Sequence, residues 1–190
     1  MHPRVYREFG AICTQERAGG RTLEVGAVPS RESLLCLKAL NATERIGVNL
    51  DGPFRYDGFE IVAANANKLD FPDNHFDTVL CNATLEHHKR FWLSASEMRR
   101  VTKPGGLLVI GVPGYHQYRW EARKEHILRR LGLKHDFYSA TLTYKVHNAA
   151  GDYYRFSEQA IREIFFEGMR DVSVRAILLL PRLIGIGRKP

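Results

Sequence analysis

The chain has 190 residues, 44% hydrophobic and 26% charged, a balance that excludes a disordered or fibrous protein. Twenty-eight Lys and Arg against 21 Asp and Glu leave a formal charge of +7, which permits an anionic partner without demonstrating one. The cysteines Cys13, Cys36 and Cys81 are too few and too scattered for a disulfide framework or a zinc knuckle, so a reducing, cytoplasmic setting is expected. Met1-His2-Pro3-Arg4 leads into no apolar run, so no signal peptide is expected. The longest apolar stretch, Ala176 to Leu180, is far short of the roughly 20 residues that span a bilayer.

Short apolar runs alternate with helical patterns. Thr22 to Gly26 reads as a strand, and Arg31 to Leu40 as a helix with Ser30 as its N-cap. Arg45 to Leu50, Glu60 to Ala64 and Phe76 to Cys81 read as three further strands. A helix is expected over about Lys89 to Thr102, and the turn Pro104-Gly105-Gly106 then launches a fifth strand over Leu107 to Val112. This alternation predicts an α/β fold, doubly wound, with a mostly parallel sheet covered by helices on both faces. The pattern breaks at Pro113-Gly114. Within the aromatic and basic stretch that follows, Tyr118 to Leu131 looks helical, with Ile127, Leu128 and Leu131 on one face. Glu158 to Phe166 reads as a helix capped by Ser157 and stopped by Gly168, and Asp171 to Leu180 with Leu183 to Ile186 as an antiparallel terminal hairpin. One domain is expected: an N-terminal segment 1–20, a core 21–114, a cap insertion 115–152 after the fifth strand, and a C-terminal helix and hairpin 153–190. An insertion of that length more often covers a binding site than merely connects two elements.

In an open parallel sheet the ligand sits beyond the carboxyl ends of the strands. Four polar clusters follow the first four strands: Glu24 to Ser30, Asn49-Leu50-Asp51-Gly52, Asn65-Ala66-Asn67, and Asn82 to His88. They would converge on one crevice, although loop residues are polar in any fold.

Several strings resemble class I S-adenosylmethionine-dependent methyltransferases of the type 11 kind. Leu69 to Val79 (LDFPDNHFDTV) is similar to their LPFPDNSFDVV stretch, and Leu85-Glu86-His87 to their LEH after the fourth strand. Glu97 to Gly106 (EMRRVTKPGG) is similar to their E..RVLKPGG, and Gly187 to Pro190 to a closing GRKP. The resemblance implies a Rossmann-like seven-stranded sheet and S-adenosyl-L-methionine as cofactor. It places Glu24, Gly26 and Ala27 near the amino acid portion of that cofactor. Asn49, Leu50 and Asp51 fall by the ribose, Asn65, Ala66 and Asn67 by the adenine, and Asn82 and Thr84 beside the sulfonium. Two departures stand out. The glycine-rich first loop is here Gly26-Ala27-Val28-Pro29-Ser30, and Asn49 occupies the usual acidic ribose position, with Asp51 two residues on along an extended chain. They keep a non-catalytic, ligand-binding or regulatory descendant of the fold open as an alternative.

Methyl transfer to a hydroxyl needs alignment, exclusion of water and a general base, for which histidine suits. The candidates are His87, His88 and His116, each of which also reads as an ordinary surface or structural histidine. The chain lacks the Asn-Pro-Pro-Tyr motif of exocyclic-amine enzymes, the Pro-Cys nucleophile of cytosine-C5 enzymes and an Asp/Asp/Asn metal cluster. No metal is therefore expected, and a small-molecule or sugar-linked hydroxyl is the expected acceptor. Tyr115, Trp120, Tyr154 and Arg155 are candidate substrate contacts. Asp152 to Ser157 (DYYRFS) resembles a DYYRFT segment of methyltransferases of polysaccharide biosynthesis, and its tyrosines equally suit packing at a helix start. Segment 118–135 holds six Lys or Arg against two Glu. It reads as a solvated helix face, as a surface for an anionic glycan or a peripheral membrane contact, or as an RNA site, for which no recognisable module is present. A homodimer remains open.

Overall fold

The apolar runs pair into one sheet. The computed structural model describes residues 1–115, 127, 130–132, 151–178 and 180–190. Strands run over Gly19–Val25 (β1), Asn41–Asn49 (β2), Phe54–Tyr56 (β3), Phe59–Ala63 (β4), Phe76–Asn82 (β5), Thr102–Pro113 (β6), Arg170–Ile177 (β7) and Arg182–Arg188 (β8). Their order is β3-β4-β2-β1-β5-β6-β8-β7. The strands β4, β2, β1, β5 and β6 are mutually parallel. β8 runs antiparallel between β6 and β7, which completes the expected C-terminal hairpin. The eighth strand is β3, a short antiparallel edge on β4 that the seven-strand expectation omits.

Alternate residues of each strand face opposite layers. Leu23, Val25, Val79, Cys81, Leu108 and Ile110 pack with the helix Phe91–Val101 (α2) and with Ile161 and Phe165. Leu80, Leu107, Val109, Ile184 and Ile186 pack with Val5, Phe9, Ile12 and Cys13 of the helix Pro3–Gln15 (α1). The sheet is thus covered on both faces, as doubly wound folds require. The three cysteines are unpaired.

Two helices differ from expectation. The segment 31–40 forms only a 3₁₀ turn, Leu34–Cys36, not a full helix. Ser33 donates its hydroxyl to Glu24, Leu34 and Leu37 pack toward α1, and Leu35 packs toward Phe59 and Ile61. The three leucines thus divide between two neighbouring apolar clusters on one face of the sheet. The second is α1, which lies within segment 1–20, where Val5, Phe9, Ile12 and Cys13 recur at helical spacing. The C-terminal helix begins as Glu158–Ala160 (α3), capped by Ser157, and continues as a π-turn over Ile161–Phe165.

Of the expected helix Tyr118 to Leu131, only residues 127, 130 and 131 are described. The Leu131 N–H donates to Ile127 O at 3.1 Å, which is helical spacing. Ile127 and Leu131 are 57% and 68% exposed. His116, Trp120 and Leu128 lie outside the described residues. Among those residues no helix is long and apolar enough to cross a membrane.

Candidate active site

The strand order reverses between β1 and β5, because the chain steps outward from β1 through β2 to β4 and then returns to start the other half. At the carboxyl ends flanking this switch point lies a cleft of about 370 Å³. Gly26, Asn49, Leu50, Asp51, Ala66, Thr84, His87 and His88 line it, together with Val28 and Ala83. Each of the four loops thus contributes residues to the cleft, whereas Glu24, Asn65, Asn67 and Asn82 are not on its wall.

The first loop turns at Gly26, whose φ of 83° is a left-handed conformation that glycine adopts without strain. A Cβ there would collide with Thr84 Oγ1, so the missing side chain lets the β1 and β5 loops meet. The Gly26 and Ala27 N–H groups donate to Val48 O at 2.9 and 3.1 Å. Ala27 itself is fully buried against Leu35, Phe59 and Ile61 rather than on the cleft wall.

Asn49 ends β2. Its Nδ2 donates to Ala27 O at 2.7 Å, and its Oδ1 accepts the Asp51 N–H at 3.2 Å. This amide ties two loops together at the cleft wall. Asp51 is exposed and is the one acidic side chain on the cleft wall among the described residues. Asn65 Oδ1 accepts the Asn67 N–H at 2.9 Å, which shapes the turn that presents Ala66. Asn82 Oδ1 is buried without a hydrogen-bond partner among the described residues, beside Gly111 and Phe9. An unsatisfied buried acceptor of this kind calls for a donor.

Glu24 is 4% exposed and does not line the cleft. Its carboxylate accepts the Ser33 hydroxyl and the Leu35 N–H, the latter at 3.3 Å. Burial pushes this carboxyl up to about 7, against the opposing pull of those hydrogen bonds.

The histidines lie on the β5 side. Ser94 of α2 donates its one hydroxyl proton to Asn67 Oδ1 at 2.6 Å. With that proton spent, His88 Nδ1, 3.3 Å from Ser94 Oγ, is the donor of their pair, and Nε2 keeps its lone pair. Burial, then the neighbouring His87, hold the His88 pKa below the ordinary histidine value, so its neutral form dominates at pH 7. The Ser94–Asn67 link escaped sequence reading, because nothing local connects residues 27 positions apart.

The substrate candidates divide. Tyr115 is 40% exposed at the end of β6. Tyr154 donates its hydroxyl to Lys89 O at 2.9 Å and stacks edge-on with Phe91. Arg155 donates to both carboxylate oxygens of Asp152, at 2.5 and 2.8 Å. None of the three lines the cleft, and the polar groups of Tyr154 and Arg155 are engaged within the protein.

A second cavity of about 470 Å³ lies at the amino ends of the strands. Four of the charges that line it pair, Lys103 with Asp77 at 2.7 Å and Arg188 with Glu16 at 3.2 Å. No group of three or more His, Cys, Asp or Glu that could hold a metal occurs among the described residues.

Residues 23–110 match the family model described as a methyltransferase domain. An uncharacterized methyltransferase of a Mycobacterium species is 36% identical over 104 residues, covering 51% of this chain and 40% of the relative. A ubiquinone/menaquinone biosynthesis C-methyltransferase of Pseudomonas putida is 47% identical over 51 residues, covering 27% of this chain and 20% of the relative. The chain thus matches well under two thirds of the length of these relatives. Among solved structures, the 1,6-didemethyltoxoflavin-N1-methyltransferase of Burkholderia thailandensis superposes with a TM-score of 0.67 at 17% identity. That superposition covers 99% of this chain and 79% of the other, a likeness of fold. The family match is centred on the strands and loops that build the cleft, and the relatives and the neighbour of the same fold are likewise methyltransferases.

Proposed function

We propose that the cleft binds S-adenosyl-L-methionine and that the protein transfers its methyl group to a hydroxyl of a small molecule or a sugar-linked acceptor. The observation that carries this reading is the meeting of Gly26, Asp51, Ala66, Thr84 and His88 in one cleft at the switch point, inside the family-matched region. The site suits the cofactor on two counts: Gly26 brings the β1 and β5 loops together at the cleft, and Asp51 offers an exposed carboxylate on its wall. Asp51 would accept the ribose hydroxyls in a charge-assisted bond, and the backbone at Ala66 would meet the adenine edge. When bound, S-adenosylmethionine supplies an electrophilic methyl group on a sulfonium.

The chain's own work is to align the acceptor, exclude water and take up a proton. His88 Nε2, unprotonated near neutral pH and held through Ser94, is the group for that last task. Radiolabelled methyl transfer, assayed against a panel of hydroxylated sugars, nucleotide-sugars and quinones, tests the reading. H88Q is expected to lower kcat by roughly 10²–10⁴-fold with unchanged cofactor affinity. Labelling equal to that of wild type in H88Q would remove His88 as the base.

A second reading, a methyltransferase-fold protein without catalysis, is favoured by the engagement of Glu24 and Asn49 inside the protein. It predicts no labelling of any acceptor.

A further inference from the structure

Side-chain hydrogen bonds hold the connection between β1 and β2 where a helix would be expected. Apart from the three-residue turn Leu34–Cys36 it has no regular structure, yet Val28 within it lines the cleft. Two anchors flank Val28. Asn49 holds Ala27 O at 2.7 Å, and Glu24 holds Ser33 and Leu35.

We infer that Glu24 is a positioning residue for the cleft, anchoring the β1–β2 connection through Ser33 and Leu35 instead of reaching the cofactor; this rests on the cofactor reading above. Position in the strand supports it first. Leu23 and Val25 face the layer of α2, so Glu24 between them faces the other layer, under the turn. Burial supports it second, since Ser33, Leu34 and Leu35 are all at most 1% exposed and close over the carboxyl. The third support is the absence of a cationic neighbour among the described groups that face it. Those groups are Tyr6 of α1 and Cys36 of the turn, while Cys81 of β5 is near but lies on the α2 face. Arg45 of β2, farther out, donates to Leu35 O at 3.2 Å and pairs with Asp57 at 3.5 Å. A buried carboxyl without a cation favours its protonated form. Ionisation therefore works against the closed connection, and cofactor affinity should fall as pH rises through about 7.

The family's usual arrangement predicts the opposite sign. A carboxylate that contacts the ammonium group of the cofactor binds better once ionised.

Titration of S-adenosylhomocysteine into wild type, E24Q and S33A from pH 5.5 to 8 separates the two. The anchor predicts that wild-type affinity falls by up to about tenfold across this range. E24Q, which keeps the carbonyl acceptor for Ser33, should match wild type at the acid end and subtract the ligand's own titration. S33A should bind more weakly than wild type at every pH. Affinity that rises with pH, with binding lost in E24Q throughout, would overturn the anchor, and so would a wild-type profile superimposable on that of E24Q. If wild type binds no ligand at any pH, the cofactor reading itself has failed. The anchor is then judged from the unfolding temperature of the free protein. Its decline between pH 4.5 and 7 should vanish in E24Q, and a decline equal to that of wild type would overturn it.

Discussion

The two strand connections that border the cleft are built in opposite ways. Between β5 and β6 the chain forms α2, with Ala95, Met98 and Val101 fully buried against the sheet. Between β1 and β2 it forms a turn held by Glu24, Ser33 and Asn49. The first connection is secured by apolar area, the second by a few directional hydrogen bonds. Apolar packing is insensitive to pH and costly to truncate. A buried polar anchor is sensitive to pH and acts on the loop that faces the ligand. The difference assigns stability chiefly to one connection and tuning of the site to the other.

Truncation of the helical connection should have the largest effect. M98A removes a fully buried side chain and is expected to cost about 2–5 kcal/mol in denaturant unfolding, with ligand affinity of the folded fraction unchanged. A loss under about 1 kcal/mol would mean that α2 is not held by its core.

Next comes the pH dependence of the polar connection. The folded-state pKa of Glu24 lies above its ordinary value of 4.5, at about 7. The stability that its protonated form contributes is full below 4.5 and is lost as pH rises through 7, about 3 kcal/mol in all. Chemical denaturation at half-unit pH steps should show a fall of this size in wild type relative to E24Q.

A smaller cost is expected from G26A, where the left-handed φ and the collision with Thr84 Oγ1 act together. Strain of about 1–2 kcal/mol should appear in unfolding, together with at least about tenfold weaker binding of S-adenosylhomocysteine. G26A/T84A should recover part of the affinity, whereas equal loss in both variants would place the damage elsewhere. The smallest effect on folding belongs to D51N. Its exposed side chain leaves stability within about 0.5 kcal/mol of wild type, while affinity falls about tenfold through loss of a charge-assisted bond. Unaltered affinity would remove Asp51 from the ribose site.

How legible each connection was in the sequence follows the same divide. The strands, α2 and the closing hairpin could be read because their apolar residues repeat with the period of the element that buries them. The convergence of four polar clusters followed from strand order alone. The segment 31–40 misled because Leu34, Leu35 and Leu37 suggest a helix face but divide between two separate apolar clusters. Glu24 misled for a related reason. Its place after an apolar run suggests a ligand contact, and only the three-dimensional position of Ser33 shows where the carboxyl is engaged. The edge strand Phe54–Tyr56 is three residues long, too short for alternation to register. The brace from Asn67 through Ser94 to His88 joins two connections and has no sequence period at all.

The most direct test of the central claim is the unfolding temperature of the purified protein with and without S-adenosylhomocysteine. Ligand at 100 times its Kd stabilises by about 2.7 kcal/mol, which for a chain of this size raises Tm by roughly 5–10 °C. The cofactor cleft proposed here predicts that rise in wild type and its loss in G26A at the same ligand concentration. An unchanged wild-type Tm at millimolar ligand would contradict it.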